Sequence, residues 1–357
     1  SLILSGSLLR PLPMSKNATK GSIEVSKLKG KPELKIVEGK VSLNPEAKAN
    51  IEKWIKNNIN QDCKQMSKVF NEEMKLYKDP KKTTDICMKF EPKNRYRDVM
   101  CIDDTRVVLK NRSKDDDYIH ANWMSIPDGT KYICTQGPLE ETREDFWEMI
   151  LQEKTSIILM LCNFTEGENY EKCAQYFPTK SGDKTQYGKF NITSNGELND
   201  LKELEGVTLS KLTVKKEQES HTVLHVLMTS WQDNMAPLTG KPIIALWRWV
   251  KKNAKDKPVV VHCSAGVGRT STFIGFELTM YKIAENPKAR ILDVIKELRA
   301  SRFQSVQSHV QYLFIHLMIF EFFEDEKLVK LPKEQGFIDE YKRHVQKKLK
   351  KKAKKEE

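Results

Sequence analysis

What this chain lacks narrows what it can be. None of its seven cysteines, at 63, 87, 101, 134, 162, 173 and 263, stands at CxxC spacing from another, which indicates neither a zinc site nor a disulfide framework. Scattered thiols in odd number point instead to a reducing, cytoplasmic setting. No apolar run reaches the length of a membrane span, since "YLFIHLMIFEFF" is interrupted by His316 and Glu321. The opening "SLILSGSLLRPLPM" is short and has no charged segment before it, so it is not read as a signal peptide; Met14 is its first methionine, which leaves the true N-terminus open. No internal repeat is visible.

The middle of the chain also lacks net charge. The whole sequence carries +12, but residues 1–45 hold 8 Lys/Arg against 3 Asp/Glu and residues 341–357 hold 9 against 2, leaving 44 of each sign in residues 46–340. A neutral body is not the footprint of a nucleic-acid-binding domain, and no nucleic acid partner is expected. The terminal "KRHVQKKLKKKAKKEE" reads as a solvated helical extension; contact with an anionic membrane surface, an acidic partner or the nuclear import machinery is the alternative.

What is present divides the 357 residues into three parts. Residues 1–45, rich in Ser, Lys, Gly and Pro without sustained period, are expected to be disordered. Residues 46–325 are expected to form one α/β domain, and 326–357 a basic tail, helical or disordered. The domain opens where Pro45 starts a helix with Ile51, Trp54, Ile55 and Ile59 on one face. Strands are predicted at "RVVLK", "YICTQ", "TSIILML", "HTVLHVLMTSW" and "PVVVHC". Helices are predicted at "ETREDFWEMILQE", "GKPIIALWRWVKKNA", "RTSTFIGFELTMYKIAE", "ARILDVIKELRAS" and "SHVQYLFIHLMIFEFF".

One stretch stands apart, "VVVHCSAGVGRTSTF" from Val259 to Phe273. A buried strand runs into a turn of small residues and then into a helix, so Cys263 lies at a helix N-terminus. Free N–H groups and the positive end of the helix dipole favour an anion there, and the same field favours a thiolate. Arg269 adds a planar fork matched to two phosphate oxygens. No Gly-Lys-Ser/Thr ending follows these glycines, so the nucleotide P-loop is excluded.

The string "VHCSAGVGRT" closely resembles the signature of the protein tyrosine phosphatases. Further motifs similar to that family's follow its order across about residues 90–325: "KNRYRDV" (93–99), "DYIHANW" (117–123), "YICTQGPLEETREDFWEMI" (132–150), "KCAQYFP" (172–178), "TSWQDNMAP" (229–237) and "VQSHVQYLF" (306–314). The resemblance implies a single large catalytic domain with a central, highly twisted mixed sheet flanked by helices. It implies hydrolysis of phosphotyrosine in proteins, hence a role in signalling, with no metal or cofactor. Cys263 would be the nucleophile that forms a thiophosphate, and Arg269 with the backbone of Ser264, Ala265, Gly266, Val267 and Gly268 would hold the phosphate oxygens. Asp233 would be the general acid and then base, Gln307 and Gln311 would position water, and Thr270 would stabilise the departing thiolate. Tyr96 would set the depth of the pocket, Val99 would line it and Asp98 would hold the substrate backbone. His262 is read as holding the loop, Trp231 as a hinge or packing residue, Lys172 as a candidate for placing the acid loop, and Cys173 as core.

Departures from the family pattern bear on activity. The acid loop reads Trp231, Gln232, Asp233, Asn234, Met235 where Trp-Pro-Asp-Phe/His-Gly is usual, so a proline restraint and an aromatic cover are both missing. His120 replaces an asparagine, Ser271 a glycine and Ser308 a threonine. These changes are expected to loosen the acid loop and slow turnover. The alternative reading is a catalytically weak domain that binds phosphotyrosine; retention of Cys263, Arg269, Asp233 and both glutamines favours the enzyme.

Overall fold

Aliphatic runs buried on both faces set the centre of this fold. In the computed structural model, which describes residues 30–330, 332 and 335–356, a hairpin of β1 (Leu34–Val37) and β2 (Lys40–Leu43) precedes helices α1 (Pro45–Asn58), α2 (Cys63–Met74) and α3 (Asp85–Lys89). Strands β3 (Arg106–Val108), β4 (Tyr118–Ser125) and β5 (Lys131–Thr135) lead to α4 (Arg143–Gln152) and β6 (Ile157–Met160). Two short strands, β7 (Thr165–Glu166) and β8 (Tyr170–Glu171), then precede a meander of β9 (Lys184–Tyr187), β10 (Phe190–Leu198), β11 (Val207–Lys216) and β12 (Glu219–Met228). The chain closes with α5 (Lys241–Asn253), β13 (Val259–His262), α6 (Arg269–Glu285), α7 (Ile291–Ser301), α8 (His309–Asp325) and α9 (Gly336–Glu356).

Nine strands form one mixed sheet in the order β3-β4-β5-β13-β6-β12-β11-β10-β9. The pairs β5–β13, β13–β6 and β6–β12 are parallel, with Val261 opposite both Cys134 and Leu159, and the remaining pairs are antiparallel. Val259–His262 and Ile157–Met160 are wholly buried, as strands covered on both faces must be. Parallel strands of this kind bring their carboxyl ends to one edge, and the loop after β13 opens there.

Helices α6 and α8 are apolar almost all round because they lie in the core. The buried carboxylate of Glu277 in α6 is fully engaged: it accepts from Tyr132 (2.6 Å), Trp247 (3.0 Å) and Lys251 (2.7 Å). At the front, Asn44 caps α1 by accepting the Ala47 N–H at 2.9 Å, and Ile51, Trp54, Ile55 and Ile59 are buried as the periodicity predicts.

The expected boundaries need correction at both ends. Disorder was expected over residues 1–45, but residues 34–43 form a hairpin that buries Leu34 and Val41; residues 1–29 lie outside the described residues. The basic tail is not merely a solvated extension. Helix α9 buries Phe337, Ile338, Tyr341 and Val345 against the body, leaving Lys342, Lys347, Lys350 and Lys351 exposed. No helix among the described residues is long and apolar enough to cross a membrane, and none of the described His, Cys, Asp and Glu side chains form a cluster able to hold a metal.

Candidate active site

The turn after β13 is held by its carbonyls. The Cys263 carbonyl accepts from His262 Nδ1 (3.1 Å) and that of Ser264 from the Gly137 N–H (2.8 Å). Ala265 and Gly266 carbonyls accept from the buried Arg302 guanidinium at 2.9 and 3.2 Å. The Val267 carbonyl accepts from the Val306 N–H (2.8 Å), and that of Gly268 from the Thr272 N–H (3.0 Å) and hydroxyl (2.8 Å). Six successive carbonyls are thus satisfied by the scaffold, while among the described residues no acceptor takes the N–H groups of Ser264–Gly268. Such a run of free amides is an anion nest. Glycine is required at 266, where φ is +69° and a Cβ would lie 2.0 Å from the Thr135 carbonyl oxygen.

Cys263 is buried at the start of this nest and Arg269 is the first residue of α6. The fully buried guanidinium donates from Nη1 to Glu166 Oε1 (2.7 Å) and the Trp231 carbonyl (2.8 Å); Nη2 faces Glu166 Oε2 (3.3 Å) and Asp233 Oδ1 (3.2 Å). Burial penalises its charge, but Cys263, Glu166 and Asp233 outweigh that and raise its pKa. Asp233 also accepts from Lys172 Nζ (3.0 Å) and the Asn234 N–H (3.0 Å). Burial pushes its carboxyl up, yet Arg269 and Lys172 prevail and hold it below the usual carboxylate range. Trp231 is buried, and its indole N–H donates to the Met235 carbonyl (3.0 Å), so it packs the base of the loop.

The glutamines abut the nest, Gln307 from the loop before α8 and Gln311 from its first turn. Gln311 is buried and its Oε1 accepts from the Gln307 N–H (3.0 Å), while a Cβ at Gly268 would lie 2.6 Å from Gln307 Oε1. Ser308 caps α8 by accepting the Gln311 N–H (3.4 Å), so the cap function of the expected threonine is kept. The Thr270 hydroxyl is buried without a partner among the described residues. Ser271 is also buried, and its hydroxyl meets that of Ser305 at 2.9 Å, so the position where the family pattern has glycine accommodates a side chain.

On the opposite wall, the Ser264 hydroxyl donates to the Lys172 carbonyl (2.9 Å) and therefore accepts from the Tyr96 hydroxyl (2.8 Å). Tyr96 packs with Val99, Ala265 and Val267. Gln136 pins the Lys93–Val99 segment, accepting the Arg95 N–H (2.9 Å) and donating to the Lys93 carbonyl (2.8 Å). His120, a departure from the pattern, reaches the Val99 carbonyl at 2.9 Å. Asp98 is exposed at the rim, and among the described residues only its backbone is tied, its carbonyl accepting from Gln304 (3.1 Å).

Among the described residues the His262 ring hydrogen-bonds to the Cys263 carbonyl and to Tyr176. A carbonyl can only accept, so Nδ1 carries the proton to the Cys263 carbonyl; Nε2 then accepts from Tyr176 (2.8 Å), whose oxygen accepts from His225 (2.7 Å). Burial lowers its pKa to about 4 and keeps it neutral. Cys173 lies in the core as expected, and burial pushes the Cys101 and Cys134 thiols up to about 12. Glu166, Arg302 and Ser305 were not singled out from sequence: the first is one acid within "TEGENYE", and the other two carry no periodic or motif signal.

The sequence model described as protein-tyrosine phosphatase matches residues 90–321. The chain is 36% identical over 232 residues to human tyrosine-protein phosphatase non-receptor type 7, covering 63% of this chain and 62% of that protein. It is 35% identical over 258 residues to rat tyrosine-protein phosphatase non-receptor type 9, covering 66% of this chain and 42% of that one. A mouse relative, receptor-type tyrosine-protein phosphatase C, is 35% identical over 238 residues, 64% of this chain and 18% of its own. The chain therefore spans about three-fifths or less of the length of these relatives.

Proposed function

The chain belongs to the protein-tyrosine phosphatase family, and on that premise we propose that it hydrolyses phosphotyrosine in proteins through a thiophosphate on Cys263. The observation that carries this reading is the nest itself: six carbonyls turned to the scaffold, free amides, a thiol at one end and a buried arginine at the other.

In the first step Cys263 Sγ bonds to phosphorus as the P–O bond to the phenol breaks. Arg269 and the Ser264–Gly268 amides hold the three equatorial oxygens, and the leaving oxygen takes a proton from Asp233. Bound phosphate supplies that proton's condition. Its negative charge beside Asp233 draws Arg269 toward itself and raises the carboxyl pKa that Arg269 and Lys172 otherwise hold down. In the second step ionised Asp233 takes a proton from water placed by Gln307 and Gln311, the water oxygen bonds to phosphorus as the S–P bond breaks, inorganic phosphate is released, and Thr270 steadies the thiolate that departs. Tyr96 makes the pocket too deep for phosphoserine, Val99 lines its wall, and exposed Asp98 meets the substrate backbone.

A reducing, cytoplasmic setting suits a thiol nucleophile, and all seven cysteines are free. The exposed Lys342, Lys347, Lys350 and Lys351 of α9 support association with an anionic membrane surface or an acidic partner.

The test is hydrolysis of matched phosphotyrosine, phosphoserine and phosphothreonine peptides with excess chelator. The tyrosine peptide is expected to be cleaved at least about 100-fold faster, and Cys263→Ser to abolish cleavage. Equal rates on the three peptides, a metal requirement, or an active Cys263→Ser protein would overturn the assignment.

A further inference from the structure

We propose that α9 braces the loop carrying Asp233, with Tyr341 as the positioning residue. The inference rests on the phosphatase reading for its kinetic consequence. Its structural basis is independent of that reading.

Helix α9 is anchored at its start, where the Phe337 N–H donates to the Ile59 carbonyl (3.0 Å) and the Gly336 N–H to Asn60 Oδ1 (2.9 Å). Glu340 accepts the Cys63 N–H at 3.0 Å. Phe337, Tyr341 and Val345 follow at intervals of four residues, so all three lie on one buried face. Packing alone would be served by phenylalanine at 341. A buried hydroxyl requires a partner. It donates to the Pro237 carbonyl at 2.7 Å.

Pro237 ends the segment that Trp231 begins. Phe314 of α8 links the two ends, stacking on Tyr341 (6.4 Å between centroids, 23°) and meeting Trp231 edge-on (5.5 Å, 70°). Between these anchors Gln232 and Asn234 are exposed; Asp233 is held from the nest side by Arg269 and Lys172, and the Tyr341 bond adds an anchor at the Pro237 end. The same helix touches the glutamine loop, where Lys348 donates to His309, the residue after Ser308, and His344 packs edge-on to it (5.7 Å, 79°). One helix therefore contacts both segments that must meet over Cys263.

Loss of the Tyr341 hydroxyl should free the Pro237 end while leaving the phosphate nest untouched. Tyr341→Phe, which keeps the ring, is the variant. Amide hydrogen exchange of residues 229–240, which does not depend on activity, is expected to quicken by about fivefold or more with the nest and α8 unchanged. Turnover is expected to fall about fivefold on phenyl phosphate, whose leaving group needs the proton, and less than about twofold on para-nitrophenyl phosphate, with KM nearly constant. Unchanged exchange in 229–240 overturns the proposal. So does an equal loss on both substrates accompanied by faster exchange throughout α8 and α9, which would make Tyr341 a packing residue. If the unaltered protein hydrolyses neither compound, the phosphatase reading fails and the exchange result still decides the brace.

Discussion

Asn234 has φ of +54°, a left-handed backbone that asparagine tolerates and a bulky aromatic does not. It stands third in a turn closed by the Met235 N–H to the Gln232 carbonyl (3.3 Å), where a positive φ is normal for Asn or Gly. The phenylalanine that the family pattern leads one to expect at 234 would cost about 1–2 kcal/mol in this conformation. Gln232 is different: it is exposed, and among the described residues its N–H donates to no acceptor, so proline there forfeits no hydrogen bond. The two departures, which from sequence are expected to loosen the loop together, therefore separate. Gln232→Pro should stiffen the loop by about 0.4–1 kcal/mol through the freedom it removes, and raise turnover on phosphotyrosine peptide about two- to fivefold. Asn234→Phe alone should not raise it. Steady-state rates on the two single variants check this, and no gain with Gln232→Pro would show that loop closure does not limit the reaction. Cys263, Arg269, Asp233, Gln307 and Gln311, which the fold brings around one turn, were legible because they lie in strings that resemble those of a known family. Glu166 was not, since a lone acid has no pattern until the fold brings it 2.7 Å from Arg269.

At the scale of elements, legibility followed burial. Strands β6 and β13, and helices α5, α6, α7 and α8, stand out because continuous or periodic apolar residues mark them. The meander strands β9, β10 and β11 lie toward one edge of the sheet and alternate buried residues with Thr, Asn, Gln and Lys, so short stretches such as "KFNITSNGEL" give little contrast. Helix α2 carried a readable signal, with Asp62 capping Gln65 and Met66, Phe70 and Met74 at intervals of four, but no motif drew the eye to it. For α9 a helical extension was expected, but its docking was hidden by charge: the lysines dominate composition while Phe337, Tyr341 and Val345 pack on the body. Its removal therefore should not be neutral for the fold. Phe337→Ala is expected to lower the unfolding free energy by about 3–5 kcal/mol, as for a fully buried aromatic, whereas Lys350→Gln should change it by less than about 0.5. Urea titration of the two variants measures the contrast, and equal midpoints would return α9 to the status of a solvated tail.

For the whole molecule the relevant charges are those kept off it. His120, His225, His262 and His316 are buried in the body. Burial lowers all four, His120 and His225 to about 3, His262 and His316 to about 4, with Arg302 adding to the effect at His120 and His262 at His225. Their ordinary value is 6.5, so between that pH and about 4 the unfolded chain binds protons that the folded chain refuses. The sign follows directly: their stabilising contribution is complete above about pH 6.5 and is lost as pH falls toward 4. Asp233, held low by Arg269 and Lys172 against its burial, loses its contribution in the same direction at lower pH, whereas burial raises Glu321 and makes it act the opposite way. Each histidine is worth roughly 2 kcal/mol between pH 7 and 5. Since a whole domain is stable by only about 5–15 kcal/mol, four together take up much of that margin. The protein is therefore expected to lose stability steadily between pH 7 and pH 5, with proton uptake on unfolding. Urea unfolding at pH 7, 6 and 5 tests this without reference to activity, and a free energy that stays level across that range would mean that these rings are protonated inside the fold.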